Sequence, residues 1–329
     1  MFIPQVYIVA LLMMLLSMIC WGSWANTQKL VGKWRFELFY WDYVWGILIL
    51  SLLVGFTLGR TDAASPDSFV NNLGTADTSH LLMAVAGGVI FNVGNILLVA
   101  AIAIAGLAVA FPIGIGLALV IGATLNYVVT PKGNPLLLFG GIALVCIAIV
   151  LDALAYRKIA QDARVTTKGI IVSLLSGVLI GAFYPLIAKA LQGENHLGPY
   201  TVFFMFALGI LLCTVPVNYL FMRRPVVGSP VTTGDYFKGT GSVHLWGVVG
   251  GMIWGVGTVS NFVASYEQMV GPATSYALGQ GATMVSAIWG VFVWKEFKGA
   301  RGGVNLLLAL MFLFFVAGLV CVALAPVVS

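Results

Sequence analysis

The sequence predicts an all-α polytopic membrane protein of ten transmembrane helices. Three observations carry that prediction. First, 60% of the 329 residues are hydrophobic and 8% are charged, with a mean hydropathy of +1.04, so the chain lacks the polar surface a water-soluble domain of this length requires. Second, apolar stretches of about 20 residues, the length that crosses a bilayer, recur along the chain with short polar breaks between them. Third, the basic residues alternate between breaks, as they do when one set of loops stays in the cytoplasm.

The spans are expected at 6–26, 41–60, 79–102, 105–127, 134–156, 168–190, 199–222, 243–265, 270–294 and 302–325. The first begins near Val6 with no basic residue before it. It therefore lacks the charged start of a cleaved signal peptide and reads as a retained helix. It ends in Trp21, Trp24 and Asn26. The second opens on Trp41, Asp42 and Tyr43. In the third, Gly88, Phe91, Asn92 and Asn95 follow i, i+3, i+4, i+7 spacing, placing a glycine, a ring and two amides on one face. Phe111 and Pro112 begin the fourth, and Asp152 lies near the end of the fifth. The sixth carries Phe183, Tyr184 and Pro185. The seventh is almost wholly apolar, while Gly251, Trp254, Gly255 and Thr258 in the eighth repeat the face of the third. The ninth has Tyr276 and Gln280 in a glycine-rich stretch, and the tenth is again almost wholly apolar. Of the connections, only 61–78 and 223–242 are long enough to carry local structure, and both read as polar caps or flexible links.

Lys29, Lys33, Arg35, Arg157, Lys158, Arg164, Lys168, Arg223, Arg224, Lys238, Lys295, Lys298 and Arg301 fall on one side, against Arg60, Lys132 and Lys189 on the other. The positive-inside rule puts the larger set in the cytoplasm and both termini outside, in a cell inner (plasma) membrane. The net charge of +5 then belongs to cytoplasmic loops, not to a nucleic-acid surface. Cys20, Cys146, Cys213 and Cys321 lie in apolar runs without CxxC spacing and read as small core residues, so no metal site is expected.

The two halves resemble each other. Gly87, Gly88, Phe91, Val93 and Gly94 match Gly250, Gly251, Trp254, Val256 and Gly257 at one spacing, and Phe111 and Gly116 fall opposite Tyr276 and Gly281. Because each half has an odd number of spans, the repeats, 1–160 and 161–329, are expected to be inverted relative to one another.

A carboxamide in hydrocarbon is costly unless hydrogen-bonded, so these amides face either another helix or a watery cavity. For a single asparagine, helix packing is the simpler reading. A ring with amides, mirrored in the other half, favours a solute site. Trp24, Phe91, Phe111, Phe183, Tyr184, Trp254 and Tyr276 would cover apolar faces of the solute, and Asn92, Asn95, Thr258 and Gln280 would meet its hydrogen-bonding edges. No charge falls in mid-span, which argues for an uncharged ligand. Among the acids, Asp42 is the candidate proton carrier, because Trp41 and Tyr43 would desolvate it and favour its protonated form. Asp152 and Glu267, near span ends, read as solvated caps or members of ion pairs. There is no HExxH, Walker-type or Ser/His/Asp pattern. An enzyme is therefore not expected, and neither is a cofactor.

The segments WGSWAN, YWDYVWGI, AGGVIFNVGN, IGATLNYVV, PYTVFFMFALG and VSAIWGVFVWKEF together resemble the ureide permeases of the drug/metabolite transporter superfamily over nearly the whole length. The glucose/ribose porters and L-rhamnose-proton symporters are similar at a greater distance. The resemblance implies two inverted five-helix repeats around a central site. It also implies proton-coupled uptake of small uncharged polar solutes: allantoin, uracil or xanthine, with monosaccharides as the alternative. One departure is that the long cytosolic loop of plant members is absent, since 156–168 is short. A drug exporter and a non-transporting receptor are the readings of other classes; amides facing a cavity favour polar cargo over the first, and the lack of a soluble domain weighs against the second.

Overall fold

The computed structural model describes residues 1–60, 65–159, 166–266, 270–300 and 302–328. Among these, ten helices are long and apolar enough to cross a membrane: Tyr7–Leu30, Phe36–Arg60, Thr78–Ala105, Val109–Val129, Pro135–Ile159, Thr167–Ala190, Pro199–Arg223, Gly241–Tyr266, Pro272–Val293 and Val304–Leu324. They are the first to tenth spans below. The protein is a multi-pass, all-α membrane protein. Its outward faces are apolar stripes, such as Ile8, Leu12, Leu16 and Ile19 on the first span and Leu313, Val316 and Val320 on the tenth. Only a lipid solvent accommodates such stripes at that spacing.

The spans pack in two groups of four. The eighth lies against the first and second, with the ninth beside the first; the sixth lies against the third and fourth, with the seventh beside the third. The fifth and tenth pair with each other at the edge. The eighth is the most enclosed, with 72% of its apolar window buried against 28% for the first. Its glycines explain why. A Cβ on Gly251 would stand 1.9 Å from the backbone oxygen of Tyr43 on the second span, and one on Gly46 would stand 2.1 Å from that of Val248. The third and seventh spans meet in the same way: Gly88 faces the oxygen of Phe206 at 2.1 Å, and Gly209 that of Val85 at 2.2 Å. The residues of one contact set are offset from those of the other by a constant number of positions along the chain.

Both ends of the chain lie at one face of the bundle, where Tyr7 donates to the carbonyl of Ala323 and the amide of Phe2 to that of Leu58. The basic connections gather at the other face, where Arg35 bonds the carbonyls of Val227 and Ser229 and Lys158 bonds that of Gly302.

Three local differences from expectation have physical causes. The second span starts earlier, at Phe36, because Arg35 pairs with Glu37 in the first turn and lets that acid be buried. The ninth span is broken. Helix Pro272–Gly279 stops at Gln280 and Gly281, helix Ala282–Ile288 follows, and the span ends in a π-helical turn, Trp289–Val293. The two longer connections are not merely flexible. One holds helix Phe69–Thr75, and the other holds Thr233–Tyr236, closed by a capping box in which Thr232 and Asp235 bond each other's backbone amides. Glu267, Arg164 and Arg301 lie outside the described residues.

Candidate functional site

A cavity of about 780 Å³ runs between the two groups of four spans, a size suited to a small organic solute. Its deep end is aromatic. Phe91 and Trp254 stack at 4.8 Å, and Phe183 meets Phe91 edge-on at 5.2 Å. Phe206 closes the layer from behind, 5.5 Å from Phe183 and 6.2 Å from Trp254. The wide end reaches Lys29, Tyr156 and Glu296, beside the basic connections.

Of the residues predicted to meet a solute, Trp24, Phe91, Asn95, Phe111, Phe183, Trp254 and Gln280 line this cavity. Gln280 does so from the break in the ninth span, where helix Pro272–Gly279 ends. Phe91 and Asn95 occupy one side of their helix face, while Gly88 and Asn92 turn toward the seventh span.

Asn92, Tyr184, Thr258 and Tyr276 stand behind the lining, each held by protein partners. Asn92 accepts from Tyr40 at 2.7 Å and donates to Thr214 at 3.1 Å. Tyr184 donates to Asn261 at 2.5 Å. The Tyr276 hydroxyl lies 3.2 Å from the Ala118 oxygen and 3.1 Å from that of Ile180, and its ring fits only because residue 122 is glycine. Thr258 accepts from the indole of Trp21 at 3.0 Å and donates to the main-chain carbonyl of Trp254 at 3.0 Å, so it holds the Trp21 ring and bonds back to its own helix rather than facing the space.

Sequence reasoning missed part of the wall. Trp21, at the end of the first span and not among the expected solute contacts, stacks on Trp254 at 6.1 Å and lines the cavity. Its spacing of three from Trp24 is the signal that could have found it. Trp289 donates to Ser23 at 2.9 Å and Trp294 to Asn26 at 2.6 Å, tying the ninth span to the first. At the wide end Glu296 accepts from Lys29 at 2.6 Å and from Tyr156 at 2.6 Å. Burial alone would raise the Glu296 carboxyl, but these two hydrogen bonds and the Lys29 charge outweigh it and hold the acid below its ordinary range. Asp152, expected as a solvated cap or in an ion pair, is buried in the same wall with no ion-pair partner among the described residues.

Asp42 is also buried but does not face the cavity. Tyr236 donates to its Oδ1, and His244 Nδ1 lies 2.9 Å from its Oδ2. Burial and the bond to Asp42 together push the Tyr236 phenol above its usual value.

The face opposite the wide end is sealed by hydrogen bonds. Asn72 donates to the His196 carbonyl at 2.9 Å and accepts from the Gly198 amide at 2.8 Å; Tyr200 donates to the Phe2 carbonyl at 3.0 Å. The cavity thus reaches one face of the bundle and is stoppered by rings and hydrogen bonds before the other.

A ten-span helical protein enclosing an aromatic and amide-lined cavity of this kind is built as a membrane transporter, not an enzyme. The model of the ureide permease family matches residues 39–170 and 163–325. The chain belongs to the ureide permease family. It is 26% identical over 383 residues to ureide permease 2 of Arabidopsis thaliana, covering 94% of each protein, and 25% identical to ureide permease 4 of the same plant, over 92% of this chain and 94% of the relative. Glucose uptake protein GlcU of Staphylococcus xylosus is 24% identical over 325 residues, 97% of this chain and 96% of the relative.

Proposed function

We propose that this protein is a secondary active transporter that imports a small uncharged polar solute of the ureide or nucleobase type, such as allantoin, uracil or xanthine, together with protons. The observation that carries the reading is the composition of the deep end: flat rings of Phe91, Phe183 and Trp254 beside the amides of Asn95 and Gln280. A planar heterocycle gains stacking from the first set and hydrogen bonds along its edge from the second. The names of the Arabidopsis relatives point the same way.

Alternating access would expose the site to each side in turn as the two groups of spans rock about it. The paired glycine contacts, equal in kind and offset by a constant number of residues, support two inverted five-span repeats, 1–160 and 161–329. The basic connections at the wide end support an inner (plasma) membrane orientation with both termini outside, which makes the described conformation open to the cytoplasm. A monosaccharide is the second reading. It is favoured by the full-length similarity to GlcU, since sugars also stack on rings and bond amides.

Uptake of labelled allantoin, uracil, ribose and glucose in cells lacking their own carriers tests the proposal. Accumulation of a heterocycle that collapses when the proton gradient is dissipated is the expected result. Accumulation of the sugars alone establishes the second reading, and uptake indifferent to the proton gradient removes the coupling.

A further inference from the structure

Among the described residues, the cavity wall holds one ionisable side chain with no partner to neutralise it. Asp152 is 6% exposed, lines the cavity, and leaves its Oδ1 without a hydrogen-bond partner. The other acids at this end are matched: Glu296 by Lys29 and Tyr156, Glu37 by Arg35, and Asp42 by Tyr236 and His244. Asp152 and Tyr156 are four residues apart on one face of the fifth span, which sets Asp152 a turn deeper than the hydroxyl that Glu296 holds.

The charged group acting on Asp152 is therefore the Glu296 carboxylate, whose own counter-charge is already engaged. Among the described residues no cation is paired with it. The fourth, ninth and tenth spans offer the phenols of Tyr127 and Tyr276 and the thiol of Cys321, and the first offers Tyr7, Cys20 and Lys29, the last bound to Glu296. Arg157 and Lys158 at the end of the fifth span, and Lys295 and Lys298 in the connection that packs on Tyr156, are exposed. A bare carboxylate in such a wall is costly, and the small, available neutralising species is a proton. A metal ion would need several oxygen ligands, and no group of three or more His, Cys, Asp or Glu able to hold one occurs among the described residues.

The geometry points to Asp152 as the proton-binding site of the transport cycle, an inference that rests on the proton-coupled reading above. Its carboxylate takes one proton from the outside water in the outward-facing state and becomes a neutral acid. It releases that proton to the cytoplasmic water when the cavity stands open to that side, as in the conformation described. Asp42, with both oxygens engaged and no face on the cavity, does not take this part.

The test is infrared difference spectroscopy of the purified full-length protein across a pH titration, paired with transport in proteoliposomes. Wild type is expected to show the band of a protonated carboxylic acid that titrates with pH. Asp152→Asn should lose the band, while Asp152→Glu and Asp42→Asn keep it, which separates loss of the acid from loss of the fold. In proteoliposomes Asp152→Asn should lose accumulation driven by a pH gradient. Solute counterflow should in turn stop varying between acid and alkaline buffers. A band that survives in Asp152→Asn, or one lost in Asp42→Asn instead, overturns the inference, as does a sodium-driven accumulation that Asp152→Asn abolishes. If the band behaves as expected but wild type never concentrates solute under a pH gradient, the coupled-import reading fails while the protonation site stands.

Discussion

The phenol of Tyr40 on the second span donates a 2.7 Å hydrogen bond to the side-chain oxygen of Asn92 on the third. Asn95, one turn on, donates to the same phenol at 3.1 Å yet also lines the cavity. Two asparagines on one helix face therefore serve different ends. Asn92→Ala leaves the buried Tyr40 hydroxyl without its acceptor and should destabilise the fold by about 1–3 kcal/mol. Asn95→Ala should melt close to wild type and bind solute about fivefold more weakly, the loss of one hydrogen bond. Thermal melting beside a binding isotherm separates them; an Asn92→Ala protein that melts normally and binds poorly would reverse the assignment.

Trp254 lines the deep end of the cavity, stacked between Phe91 and Trp21. Trp254→Ala should weaken solute binding by about 1–3 kcal/mol, roughly tenfold or more, if the ligand is an aromatic heterocycle stacked on it. Trp254→Phe should recover part of that. An unchanged dissociation constant in Trp254→Ala would place the solute elsewhere.

Gly88 and Gly251 each press a helix against a neighbouring carbonyl with no room for a methyl group. Gly88→Ala and Gly251→Ala should each lower stability by about 1–3 kcal/mol, through forced separation of two backbones. Gly140→Ala is the control: nothing lies within 4 Å of a Cβ there. Melting curves of the three variants in one detergent decide the matter, and equal melting temperatures would refute the close-packing account.

Glu296 supplies a pH dependence with a definite sign. Its carboxyl is held below the ordinary range when folded, so the stability it adds is full above its unfolded value of about 4.3 and is lost as pH falls through the lower folded value. Lys29 is half exposed, so the increment is at most about 1 kcal/mol. Lys29→Met should lower the melting temperature slightly at neutral pH and flatten its fall in acid. A Lys29→Met curve parallel to wild type at every pH would show that the pair contributes nothing.

The orientation is open to labelling, since Glu194 and Lys168 are exposed at opposite faces of the bundle. In a background without the native cysteines, Glu194→Cys should react with an impermeant maleimide in intact cells, and Lys168→Cys only after permeabilisation. The reverse pattern would invert the topology.

The spans were legible in the sequence because hydrophobic length is a local property: 199–222 against Pro199–Arg223, and 270–294 against Pro272–Val293. The site was legible in part. Period and residue type picked out Phe91, Asn95, Phe183, Trp254 and Gln280, all in the lining. The same period drew in Asn92, because a helix face wider than the cavity edge includes residues that turn to the next helix. Thr258 and Tyr276 were expected in the lining but stand one layer behind it, a distinction that depends on which neighbour lacks a side chain, as at Gly122. Asp152 was misjudged for another reason. Nearness to a span end was taken to mean contact with bulk water, whereas the cavity extends into that end and leaves the carboxyl buried in its wall.

The glycine contacts bear on which parts of the chain travel together. The second span is locked to the eighth, and the third to the seventh, by backbone touching backbone, with no side chain between them to slide or re-pack. Each locked couple draws one helix from either half of the sequence. These close-packed couples are therefore woven from both halves, and severing the chain between residues 159 and 166 would cut neither of them. Two separately synthesised fragments meeting in the membrane would have to interlace to rebuild both couples, and neither fragment alone would contain a complete one.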